Sequence, residues 1–117
     1  MEFSLGEFNI VCKDLEASIN FYQNIFNFEL IEKQETYAHF KCQKQTISLL
    51  AFSKKIKTKQ FYGSESTFSL DLKVKNLKEA SIYFKNNKVE FAQEYGEEDG
   101  FFCIYDPDNL IWEIVQE

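Results

Sequence analysis

Histidine occurs once in these 117 residues, at position 39. Catalytic zinc and iron sites draw on about three good protein ligands, and the facial triad needs two imidazoles with a carboxylate, so one histidine excludes the usual sets. Cysteine is sparse as well. Cys12, Cys42 and Cys103 are odd in number, far apart and without C-x-x-C spacing, which leaves no disulfide framework and no thiolate zinc site. All three read as reduced and mostly buried. No window approaches the roughly 20 apolar residues of a membrane span, and Met1-Glu-Phe-Ser-Leu-Gly lacks the basic and apolar runs of a signal peptide. The expected location is cytoplasmic, with no membrane partner. An excess of positive charge is also missing. The net charge of −6 argues against nonspecific nucleic-acid binding and favours neutral or cationic small ligands.

What the chain does have is aromatic mass. Thirteen Phe, six Tyr and one Trp supply much of a core and leave rings for a cavity or an interface. With 44% hydrophobic and 27% charged residues, the composition is that of a folded domain, and the length suits one.

Hydrophobic periodicity divides the chain into two similar halves. Residues 7–12 alternate, with Phe8, Ile10 and Cys12 on one side and Glu7, Asn9 and Val11 on the other, as in a half-buried strand. Asp14 suits the N-cap of a helix in which Leu15, Ile19, Tyr22 and Phe26 recur at helical spacing. Strand-like runs follow at 28–32, 37–42 and 46–52. In the second half Leu70, Leu72 and Val74 alternate with Ser69, Asp71 and Lys73, and Asn76 takes the N-cap place before Leu77, Ala80 and Phe84. Strand runs at 89–95, 100–105 and 110–115 complete it, the last two joined by the turn Asp106-Pro-Asp-Asn. Glu16-Ala-Ser-Ile recurs as Glu79-Ala-Ser-Ile. Each half is therefore βαβββ, and the class α+β. The expected organisation is a first module over 1–52, a linker over 53–65 and a second module over 66–117. The linker lysines read as a solvated stretch.

Parity places Glu7, Asn9, Ser69 and Asp71 on the sheet face opposite the helices. That row is either a solvated surface or the polar floor of a concave site.

Three segments carry a family resemblance: Asp14-Leu-Glu-Ala-Ser-Ile-Asn-Phe-Tyr with Phe26-Asn-Phe-Glu-Leu, Val74-Lys-Asn-Leu-Lys-Glu-Ala, and Asp106-Pro-Asp-Asn-Leu-Ile-Trp-Glu-Ile. In this order the chain resembles the vicinal oxygen chelate superfamily of glyoxalase I, bleomycin-resistance proteins and extradiol dioxygenases. The resemblance implies paired modules forming a curved mixed sheet around a cup, helices outside, in a homodimer with a small ligand inside. It also implies a divalent metal held by His, Glu, His and Glu from the first and fourth strand of each half, stabilising an anion formed by proton transfer. Carried over, the ligand positions fall on Glu7, Ser48, Ser69 and Glu113. Two acids and two serines make a degraded site. The expected cofactor is none, the alternative a weakly bound divalent ion (Mg, Mn, Ni or Zn) on Glu7 and Glu113.

Glu113 lies in phase with Ile111 and Val115, so its carboxylate is either a general base in a partly apolar setting or a retained acid that hydrogen-bonds across the cup. Asn9, Asp71 and Tyr105 join Glu7, Ser48 and Ser69 as expected ligand contacts, and Phe61, Tyr62 and Phe101 are further candidates to line the cup. His39 reads as a sheet histidine bonded to a neighbour, and Trp112 as structural. The expected function is binding of a small molecule, cations favoured, in a dimer cleft. The alternative is a metal-dependent lyase, isomerase or dioxygenase using Glu113.

Overall fold

The computed structural model describes residues 1–55 and 57–117. The chain divides into two compact units, Met1–Ile56 and Lys57–Glu117. The first contains β1 (Phe8–Val11), α1 (Leu15–Asn20), β2 (Glu29–Lys33), β3 (Tyr37–Cys42) and β4 (Gln45–Leu50). The second contains β5 (Leu70–Val74), α2 (Leu77–Asn86), β6 (Phe91–Gln93), β7 (Phe101–Tyr105) and β8 (Ile111–Gln116). Each is a βαβββ module with an open four-stranded mixed sheet, ordered β1-β4-β3-β2 and β5-β8-β7-β6. The first and last strand of each module pair in parallel, and the remaining pairs are antiparallel.

Both helices start on the expected caps. The Asp14 carboxylate accepts the Ala17 amide at 3.1 Å, and the Asn76 side chain accepts the Glu79 amide at 2.9 Å. Each cap satisfies one donor of a helical first turn. Asn76→Ala is therefore expected to cost about 1 kcal/mol, read as a lowered urea midpoint with an unchanged slope. A midpoint equal to wild type would show that the cap contributes nothing.

Duplication extends to the backbone. After Asn20 the first helix widens into a π-helical turn, Phe21–Ile25, and Asn27 then takes φ 59°; after α2, Lys88 also takes φ 59°. Gln43 (φ 54°) and Asn109 (φ 64°) occupy the turns before β4 and β8. Four left-handed residues thus fall at two equivalent pairs of positions, where the chain must reverse sharply and no glycine is available.

In each unit the helix covers one face of the central strands. Under α1 lie Ile10, Ala38, Phe40, Ile47 and Leu49, with the rings of Tyr22, Phe26 and Phe28 closing the core. Under α2, Phe102, Ile104, Trp112 and Ile114 are buried. Phe8, assigned by parity to the inner row, stays 38% exposed because it opens an edge strand at its end. No helix among the described residues is long and apolar enough to cross a membrane.

Candidate functional site

The face turned away from the helix carries the polar row in each unit. On the first sheet, register sets Asn9 beside Ser48 and His39 beside Ser48 from the other side. A two-residue turn at Gln43 and Lys44 pairs Cys42 with Gln45, and this count forces His39 opposite Ser48. The Ser48 hydroxyl donates to Glu7 Oε2 at 2.8 Å, and His39 Nδ1 stands 2.7 Å from Ser48 Oγ. With the serine proton given to Glu7, the short contact to His39 is satisfied when Nδ1–H donates to Ser48. His39 Nε2 is 3.8 Å from Glu32 Oε2 on β2. A continuous polar row, Glu7, Ser48, His39 and Glu32, thus crosses the sheet. Ser48 is 1% exposed, so its two partners satisfy a hydroxyl that water does not reach.

On the second sheet Glu113 is flanked by Asp71 on β5 and Cys103 on β7. Its Oε2 accepts the phenol of Tyr62, which arrives from the stretch before β5. The Tyr62 ring stands 5.9 Å from that of Phe101, and Ser69 also hydrogen-bonds its hydroxyl. The bond to Glu113, then burial and the Glu113 charge, push the phenol up to about 12. Burial first, and then the charges of Glu113 and Asp71, push the Cys103 thiol up to about 12. It is a protonated, unreactive thiol at neutral pH. Tyr105 Oη donates to the Gln60 carbonyl at 2.8 Å.

The expected contacts therefore fall into two sets. Glu7 and Ser48 meet in the first unit, with Asn9 exposed beside Ser48; Ser69 and Glu113 meet through Tyr62 in the second, with Asp71 exposed beside Glu113. Tyr105 holds the connecting stretch. His39 joins the first set beyond the expected contacts, brought opposite Ser48 by the two-residue turn between β3 and β4. Cys103 shares the Glu113 face rather than lying under α2, which the odd-even pattern of 101–105 also shows. Among the described residues, no group of three or more His, Cys, Asp and Glu is arranged to hold a metal ion.

A family model described as the Glyoxalase/Bleomycin resistance protein/Dioxygenase superfamily matches residues 4–114. The chain belongs to this superfamily. Its fold is shared with the fosfomycin resistance protein FosX from Listeria monocytogenes, at TM-score 0.78 and 21% identity, covering 100% of this chain and 95% of that one. FosX from Mesorhizobium loti gives 0.73 and 13%, covering 100% and 94%. Lactoylglutathione lyase from Agrobacterium tumefaciens gives 0.70 and 16%, covering 97% and 92%. A mutant of the Listeria protein has been crystallised with Mn(II) and 1S,2S-dihydroxypropylphosphonic acid. No curated protein matches the chain. At these identities the likeness is one of fold, and a fold by itself assigns no activity.

Proposed function

We propose that this member of the superfamily binds a small neutral or cationic organic molecule and uses no catalytic metal ion. One observation carries the reading: the two carboxylates at the implied metal positions each accept a hydroxyl of their own chain, Glu7 from Ser48 and Glu113 from Tyr62. A divalent ion would have to displace these donors, and the other two implied positions offer it only serines, which as neutral hydroxyls hold such ions poorly. The donors present do not fit the ion that the resemblance implies.

The charge of the ligand follows from the same residues. A phosphonate is best met by basic side chains, but the chain has no arginine, and the polar rows are acidic, at Glu7 and Glu32 in the first unit and at Asp71 and Glu113 in the second. Hydrogen-bond donors and cations are the complementary chemistry. In keeping with the superfamily resemblance, the binding form is taken as a homodimer in the cytoplasm.

Thermal melting with a panel of organic cations, including bleomycin, and separately with MnCl2, NiCl2 and ZnCl2, tests the proposal. At least one organic compound is expected to raise the melting temperature, as binding to the native state requires, while the salts leave it unchanged. Stabilisation by the metals and by none of the organic compounds would overturn the reading in favour of a metal-dependent lyase, isomerase or dioxygenase.

A further inference from the structure

The stretch before β5 does more than connect. Asn109 Nδ2 donates to the Lys57 carbonyl at 2.6 Å, Lys59 pairs with Glu90, and the Lys59 ammonium lies 5.7 Å above the Tyr105 ring. With Tyr105 bonded to the Gln60 carbonyl, residues 57–60 are fastened to the second module at several points. Beyond them the chain makes a tight turn. The amides of Glu65 and Ser66 reach the Phe61 carbonyl at 3.1 and 3.3 Å, and Gly63 adopts φ 82°, a conformation that suits glycine. Tyr62 projects from this turn onto Glu113.

The turn is thus an anchored strap carrying one aromatic alcohol. Phe61, next to Tyr62, is 72% exposed, so the strap brings Tyr62 to the sheet without burying its neighbour. The Tyr62 hydroxyl meets a carboxylate and a serine, and its ring meets the Phe101 ring. An acceptor, a hydroxyl and an aromatic wall are what a small ring bearing a donor needs: the charge-assisted bond orients it and the wall takes its apolar side.

We propose that Tyr62 occupies, from within the chain, a binding site formed by Glu113, Ser69 and Phe101, and that the ligand taken there is a small aromatic alcohol or amine whose donor replaces the Tyr62 phenol. This rests on the reading of the protein as a binder of organic molecules and names the class of ligand. A tethered side chain competes at an effective concentration on the order of millimolar, so a free ligand displaces Tyr62 when the ratio of its concentration to its dissociation constant exceeds the same ratio for the tethered phenol. The phenol donates to Glu113 as the ligand's own donor would. Until a ligand arrives, Tyr62 keeps the Glu113 carboxylate paired.

Calorimetric titration with p-cresol, the Tyr side chain as a free molecule, and with toluene, the same ring without a donor, tests the proposal on wild type and Tyr62→Ala. The variant is expected to bind p-cresol about tenfold tighter than wild type, and about tenfold tighter than it binds toluene, the worth of one hydrogen bond to a charged acceptor. Equal affinity of the two proteins for p-cresol, equal affinity of the variant for both compounds, or no p-cresol binding by the folded variant would each overturn it. If Tyr62→Ala does not fold by circular dichroism, Tyr62→Phe, which keeps the ring and removes the donor, carries the test. It is expected to bind p-cresol about threefold tighter than wild type, and equal affinity overturns the inference. Melting by organic cations with no p-cresol effect in the variants would remove this inference alone, whereas metal-only stabilisation would remove the broader reading.

Discussion

Phe102→Ala is expected to lower stability by about 3–5 kcal/mol, the usual cost of deleting a buried aromatic ring. Phe102 is 0% exposed in the middle of β7. Its ring stacks on Phe91 at 5.4 Å and 21°, and meets Phe84 of α2 at 6.1 Å and Tyr95 at 6.1 Å. Ile114 is its cross-strand partner, so the cavity would open where helix and sheet join. Fixed strand backbones on both sides limit collapse, which favours the upper part of the range. Against a typical total of about 5–15 kcal/mol, the loss removes a large share of stability. The control is Phe61→Ala: at 72% exposure its ring contributes little burial, and a change within about 0.5 kcal/mol is expected. Urea denaturation of both variants reads the contrast, and similar losses would contradict this account of the second core.

Raising the pH from 9 to 12 is expected to destabilise the native protein, and Cys103→Ala to blunt that loss. The thiol of Cys103 moves from about 9 in the unfolded chain to about 12 in the native one, and the Tyr62 phenol from 10 to about 12. Raised native values mean that the folded protein keeps protons that the unfolded chain gives up. Their contribution is fully present below pH 9 and is lost as pH rises towards 12. The slope reaches about 1.4 kcal/mol per pH unit for each proton retained. Between 9 and 10 the thiol dominates; above 10 the phenol adds to it, by less because Tyr62 is half-exposed and its charge interactions are screened. Urea midpoints measured at pH 8, 9.5 and 11 provide the comparison. The same decline in Cys103→Ala as in wild type would show that the thiol is not responsible.

Much of the fold was legible because its determinants are close in sequence. Alternation at 7–12 and 69–74, the caps at Asp14 and Asn76, and the recurring Glu-Ala-Ser-Ile each act within a few residues, and the strands and helices stand where those patterns put them. Parity also places Glu7 and Asp71 on the faces turned from the helices, whereas Ser48 and Glu113 are singled out by the family resemblance. The partners of those groups were harder to read. His39 was legible as a sheet residue, but its bond to Ser48 depends on the two-residue turn that sets the β3–β4 register. Tyr62 lies outside any strand or helix, where periodicity says nothing about direction.

By itself the sequence determined two βαβββ modules and a single histidine, because backbone periodicity, capping and composition are properties of neighbours along the chain. Tertiary structure decided which groups meet. Glu7 and Ser48 are 41 residues apart, and Tyr62 and Glu113 are 51. Those pairings arise from parallel register in the first sheet and from a strap anchored by Tyr105, Asn109 and Glu90 in the second, neither of which any local window contains.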